Sequence, residues 1–390
     1  MIKRDISKEL LASAGEYPVV TVFGPRQSGK TTLVQMTFPD RVYYSLEDPD
    51  IRMAAETDPR GFLQNLPEGG ILDEIQRLPT LLSYIQGIVD KSKQKGMFIL
   101  TGSHQPDLHY SVSQTLAGRT AILSLLPFSL PELKSYHKNI ETFNLMIKGS
   151  FPRVHEEKLK PGRFFNAYLQ TYVERDVRAL INLKNLSQFQ RFIVLLAGRI
   201  GQIVNYTSLS NDIGVSATTI KNWISVLKAS FVVFELPPFF TNIRKRVVKS
   251  PKIYFSDVGL AAFVLGIETP DQLRRDPLRG GLYENFVILE ILKAHLNCGK
   301  RPELFFYRDT HGNEVDLLVR QARTFIPIEI KSAATFTSGF LKGIDRFKKA
   351  ADYDVAQGFV LYNGSEQYTL KGTRVMNPLK HKGLENIWQS

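Results

Sequence analysis

Five short apolar runs rich in β-branched residues punctuate the first third of the chain: Val19 to Phe23, Val42 to Leu46, Gly70 to Leu72, Met97 to Thr101 and Ala121 to Leu125. The connections between them are 18 residues or longer, enough for a crossover helix in each. Such alternation predicts βαβ units around a parallel sheet. After Leu126, Pro127 and Pro131 the pattern turns helical to about Leu186, broken by the polar stretch PRVHEEKLKPGR before the segment Phe164 to Leu183. Residues 206–227, YTSLSNDIGVSATTIKNWISVL, carry apolar positions at helical spacing on both sides of Gly214 and predict a helix-turn-helix. Its first helix would bear Leu209 and Ile213 with Ser208 as cap, and its second Ile220, Trp223, Ile224 and Leu227 with Ser216 as cap. Thr218, Thr219, Lys221, Asn222 and Ser225 are left facing outward. Two strand-like runs around the basic turn Arg244, Lys245, Arg246 follow, as in a wing. The last part mixes helix and strand and ends its readable pattern in a meander, Leu304 to Arg308, Glu314 to Arg320 and Phe325 to Lys331. The expected fold is therefore multidomain α/β, with a parallel-sheet core over 1–135, a helical lid or connector over 136–187, a winged-helix domain over 188–255 and a C-terminal α/β domain over 256–390.

Composition changes this picture in two places. The 390 residues are 43% hydrophobic and 23% charged, the balance of a folded chain. No apolar run approaches the length of a membrane span, the N-terminus lacks an apolar leader core, and the single cysteine, Cys298, cannot form an internal disulfide. These features predict a cytoplasmic protein without a membrane partner. The net charge of +12 is unevenly placed: residues 1–150 hold 16 basic and 16 acidic side chains, so the whole excess lies in the remainder. Residues 188–255 alone hold nine basic side chains against Asp212 and Glu235. A basic module beside a neutral one predicts a polyanion partner, DNA first, because phosphate contacts by Lys and Arg release counterions. A winged helix also serves as a protein-docking module, and that alternative stands beside the first.

The chemistry of the first domain is legible in GPRQSGKT, residues 24–31, which fits G-x-x-x-x-G-K-[ST] between an apolar strand and a helix-compatible run. Gly24 and Gly29 would let backbone N–H groups wrap the phosphates of ATP, Lys30 would reach the β and γ oxygens, and Thr31 would ligate Mg²⁺, with Thr32 adjoining. Asp73 and Glu74 end a later strand, where Asp73 would hold the magnesium through water and Glu74 would polarise the attacking water. The strand FILTG brings Thr101 and Ser103 near the same edge, where a hydroxyl could orient that water; the alternative is a turn residue. Arg119, just ahead of the fifth strand, is placed to neutralise γ-phosphate charge, or else is a surface arginine.

In the C-terminal meander, alternation puts Ile328 and Ile330 on one face and Glu329 with Lys331 on the other, beside Asp316. Asp316 and Glu329, joined by Glu284 from a helical segment, would bind Mg²⁺, and Lys331 would position or activate a water for phosphodiester hydrolysis. The competing reading is an exposed cross-strand pair, or a fold that keeps this architecture without the activity.

The first domain resembles the AAA-type P-loop ATPases of bacteria and archaea. More narrowly, the whole chain is similar to the AAA ATPases with a C-terminal domain of unknown function 4143. The resemblance rests on GPRQSGKTT (24–32), GGILDEIQRLP (69–79), LTGSH (100–104), LAGRT (116–120), GSFPRV (149–154), YVERDV (172–177), GLYENFV (281–287) and EVDLLV (314–319). It implies that Arg119 acts on the nucleotide of a neighbouring subunit, in a homo-oligomer that is commonly a six-membered ring. The D…E-x-K spacing resembles the PD-(D/E)XK restriction-endonuclease-like fold. The expected function is a Mg²⁺-dependent ATP hydrolase that engages DNA through its basic half, with a nuclease-like C-terminal domain for which metal-dependent cleavage and a retained architecture without activity are both open. Its rival is a remodelling ATPase whose winged-helix and C-terminal domains bind protein without cleaving DNA.

Overall fold

The structure is a computed structural model and describes residues 1–103, 112–173, 185–239, 250–380 and 384–387. The basic turn Arg244–Arg246, most of YVERDV and His104 of LTGSH lie outside the described residues. The chain divides into two compact units, one of residues 1–128 with 229–231 and 296–300, the other of 129–228, 232–295 and 301–390.

In the first unit, β1 (Val19–Gly24), β2 (Tyr43–Ser45), β3 (Gly70–Asp73), β4 (Phe98–Ser103) and β5 (Thr120–Ser124) form one sheet in the order β2-β3-β4-β1-β5. Every pairing is parallel, and each strand falls within a residue or two of its expected bounds. β1 and β4 are buried along their whole length, as expected of central parallel strands covered on both faces. Val20 and Val22 point into a core with Ile6, Leu10, Leu33 and Val34, while Val19 and Phe23 point into a second with Leu63, Leu81 and Leu100. β4 lies between β1 and β3, so the residues at its C-terminal end stand between the loop after β1 and the acids after β3.

The second unit holds the helix-turn-helix. Tyr206–Ile213 and Ala217–Ala229 are helices, with Gly214 at φ 80° making the left-handed turn between them. Ser216 caps the second helix as expected, accepting the N–H of Thr219 at 3.0 Å. The first helix is capped by Asn205, not by Ser208: the helix starts three residues earlier than the apolar pattern suggests, and Ser208 gives its N–H to the Asn205 carboxamide at 2.9 Å. Trp223 packs between Phe189 and Phe192 at ring separations of 5.4 and 5.2 Å, and Thr218, Lys221, Asn222 and Ser225 are exposed. The strands β6 (Val233–Leu236) and β7 (Lys252–Phe255) pair antiparallel after it.

The same unit contains a six-stranded mixed sheet, ordered β12-β13-β11-β10-β9-β8. β8 (Leu304–Arg308), β9 (Glu314–Gln321) and β10 (Thr324–Lys331) are the expected antiparallel meander. β11 (Gly358–Tyr362), β12 (Tyr368–Leu370) and β13 (Thr373–Met376) extend it, with β11 parallel to β10. Beyond β6 the chain continues onto the other edge: Phe239 donates to the Phe306 carbonyl at 2.7 Å, and Phe306 to that of Pro237 at 3.0 Å. No helix among the described residues is long and apolar enough to cross a membrane.

Candidate functional site

The loop between β1 and the helix Lys30–Thr37 is built by close approach. A Cβ on Gly24 would stand 2.1 Å from the carbonyl oxygen of Leu125 and 3.2 Å from Ser28 Oγ, so only glycine fits there. Gln27 (φ 60°) and Gly29 (φ 90°) both take left-handed backbone, which turns the chain into the helix. The helix N-terminus, with its unsatisfied N–H groups and the positive end of its dipole, faces that loop. Lys30 is 5% exposed and folds back over the loop, donating to the carbonyls of Gly24 at 3.1 Å and Pro25 at 2.9 Å.

Asp73, the last residue of β3, is 4% exposed. Thr31 Oγ1 donates to its Oδ2 at 2.8 Å, and so does the hydroxyl of Tyr43 at 2.8 Å, while Thr101 donates to Oδ1. The loop and the acid strand therefore meet through the Thr31–Asp73 bond. Burial, then the Asp73 carboxylate beside it, pushes the Tyr43 hydroxyl's pKa well up, so it remains a proton donor. Glu74 is half-buried in left-handed backbone (φ 59°, ψ 45°). Its N–H donates to Thr101 Oγ1 at 3.3 Å, and its carboxylate accepts from Gln76. A non-glycine residue held there costs about 1–3 kcal/mol, and the Thr101 and Gln76 bonds hold it. Thr101, expected to orient water, is instead committed to the two acids. Ser103 pairs with Gly24 across β1 and β4; it is 5% exposed, and its Oγ has no partner among the described residues.

Gly24, Gly29, Lys30, Thr31, Asp73, Glu74 and Ser103 thus converge on the C-terminal edge of the sheet, with Thr32 in the first turn of the helix. Arg119 does not. It precedes Thr120, the partner of Val19 at the start of β1, and five residues at ~3.3 Å put the loop about 17 Å away. Arg119 pairs with Asp90, Nη2 to Oδ2 at 3.0 Å, and donates to the Ala117 carbonyl at 2.9 Å. Tyr43 and Gln76 escaped the sequence reading.

In the second unit, Lys331 Nζ bonds Asp316 Oδ2 at 2.9 Å and Glu329 Oε1 at 2.7 Å, and the Ile330 N–H also serves Asp316, at 2.8 Å. Glu284, on the long helix Arg279–Asn297, bonds instead a residue counted with the basic module. Lys252 of β7, 2% exposed, bonds Glu284 Oε1 at 3.1 Å and Glu314 Oε1 at 2.6 Å, and Tyr254 donates to Glu284. Burial, then Asp316, pushes the Glu329 carboxyl up to about 8. Burial also raises Glu284, to about 7, against the pull of Lys252. The expected metal set of Glu284, Asp316 and Glu329 is therefore interleaved with two lysines. Among the described residues no three His, Cys, Asp or Glu side chains are placed to hold one ion.

Three family models match the chain: an AAA domain over residues 16–134, a domain of unknown function (DUF8612) over 140–271 and a domain of unknown function (DUF4143) over 279–381. An uncharacterized protein of Mycobacterium tuberculosis is 31% identical over 386 residues, spanning 96% of this chain and 83% of its own. One from Methanocaldococcus jannaschii is 24% identical over 405 residues, spanning 88% and 83%. Among solved structures, the Walker-type ATPase of Pyrococcus abyssi is similar at TM-score 0.40 and 16% identity, over 67% of this chain and 95% of that one.

Proposed function

The chain belongs to the family of AAA-domain proteins with a C-terminal domain of unknown function (DUF4143), and from that premise we propose that it hydrolyses ATP with Mg²⁺ at the loop of its first unit. The observation that carries this reading is the 2.8 Å bond from Thr31 to Asp73, which ties the phosphate loop to a buried acid. Bound magnesium, held by Thr31 and through water by Asp73, would neutralise charge on the phosphates. Lys30 gives up the Gly24 and Pro25 carbonyls to reach phosphate oxygens. Glu74 polarises the attacking water from its fixed left-handed position, and Ser103 offers its hydroxyl beside Gly24. Lys30→Ala should abolish ATP binding, and Glu74→Gln should bind ATP yet turn over at least about 100-fold more slowly, the scale of one general base. Normal turnover in both variants defeats the assignment.

Arg119 is too far from the loop of its own chain, so we assign it to the nucleotide of a neighbouring copy in a homo-oligomer. The exposed row of Thr218, Lys221, Asn222 and Ser225, on a helix whose opposite face is buried, supports DNA as partner of the helix-turn-helix. For the C-terminal domain we favour a binding platform over a nuclease, because Lys252 engages Glu284 and Glu314, and among the described residues no three acids are placed to hold one ion. Mg²⁺- or Mn²⁺-dependent cleavage of single-stranded, duplex or branched DNA that is lost in Asp316→Ala would reverse that preference.

A further inference from the structure

Asp73 is buried, and a buried carboxylate needs donors. Its side-chain partners among the described residues are hydroxyls, Thr31 and Tyr43 on Oδ2 and Thr101 on Oδ1. Hydroxyls satisfy the oxygens without cancelling the charge, whereas the acids of the second unit are matched by lysines. The negative charge of Asp73 stays available to a cation. Of the three donors, Thr31 belongs to the phosphate loop itself, which leaves Tyr43 and Thr101 to fix the carboxylate from the neighbouring strands. Tyr43 comes from β2, where it pairs with Ile71, two residues before Asp73 on β3. Side chains two apart share a face of the sheet, and the phenol reaches along that face to Oδ2. Thr101 comes from β4 on the other side of β3. The carboxylate is thus gripped by one donor from each adjacent strand, one on each oxygen.

We propose that Tyr43 is a positioning residue of the nucleotide site, acting with Thr101 to hold Asp73 in the orientation that sets its affinity for magnesium. This rests on the reading of the site as an ATPase. Removing the phenol hydroxyl leaves Oδ2 with Thr31 alone, a loss felt when the metal is taken up and not when the nucleotide binds without it. Outer partners of a metal ligand are typically worth about 10–100-fold in metal affinity.

The test titrates Mg²⁺ against ATP turnover in the full chain for the wild type, Tyr43→Phe, Thr101→Val and Thr101→Ser. Half-activating Mg²⁺ should rise by about tenfold in Tyr43→Phe and Thr101→Val. Thr101→Ser, which keeps a hydroxyl, should stay within twofold of wild type. Affinity for a fluorescent ATP analogue in EDTA should be the same in all four. A purely structural tyrosine would lower the thermal midpoint or the maximal rate and leave the magnesium requirement where it was; that outcome overturns the proposal. If the wild type shows no turnover, the ATPase reading fails on its own. Mg²⁺-enhanced binding of the analogue then replaces turnover, and an unshifted magnesium midpoint in Tyr43→Phe still refutes the role.

Discussion

Glu329→Gln removes the charge of the carboxyl that the fold places most awkwardly. Only Oε1 of Glu329 is matched, by Lys331 at 2.7 Å; Oε2 is buried with no partner among the described residues. Burial and Asp316 raise the carboxyl to about 8, against an ordinary value of 4.5. The unfolded chain keeps this proton only below its ordinary pKa, whereas the folded chain keeps it to about pH 8. The contribution to stability is therefore fully present below pH 4.5 and is lost as pH rises through 8. Between pH 6 and 9 the loss spans about two units at ~1.4 kcal/mol each, on the order of 3 kcal/mol. At roughly 2–4 °C per kcal/mol for a unit of this size, Glu329 alone should lower the wild-type midpoint by roughly 6–12 °C. Glu329→Gln should keep only the smaller fall that Glu284, raised to about 7, contributes. Calorimetry at pH 6, 7.5 and 9, following the transition of the second unit, measures both slopes. Parallel pH profiles for the two proteins, or a wild type more stable at pH 9, would show that Glu329 is not held protonated by its surroundings.

Mixing Arg119→Ala with Lys30→Ala subunits should restore part of the ATPase activity, since an intact arginine then faces an intact loop only across an interface; mixtures no better than either variant alone argue against a role in trans. Lys221→Glu should weaken duplex binding across sequences and reduce the slope of log K against log salt by about one to two, without changing ATPase activity in the absence of DNA. An unchanged isotherm would move the helix-turn-helix to the protein-docking class.

The parts of the site that the sequence disclosed are those whose chemistry is local. Gly24, Gly29, Lys30 and Thr31 fall within eight residues, and a strand ending in Asp73–Glu74 shows itself by the change from apolar to acidic. Tyr43 bonds Asp73 from 30 residues away on a neighbouring strand, and Lys252 bonds Glu284 from 32 residues away on a helix, and an apolar pattern does not order such neighbours. A tyrosine in YYS reads as an ordinary strand residue, and Lys252 reads as one more charge in a basic segment. Ser208 was a reasonable cap by residue type, but Asn205 is as good a one, and periodicity alone does not choose between polar residues a turn apart. The meander β8–β10 was legible because its acids and apolar residues alternate; β11 was not, because GFVLY is buried throughout and lacks any such signature.

The pairing of residues 237–239 with β8 bears on how this protein can be cut. A fragment beginning at residue 256 would carry the six-stranded sheet but leave β8 with open donors and acceptors. It would also uncover the side of Phe325 against which Phe239 packs at 4.6 Å. An open strand edge beside bare aromatic surface invites pairing with another chain. Such a fragment should aggregate, whereas one that starts before Val232 and retains Pro237–Phe239 keeps that edge covered.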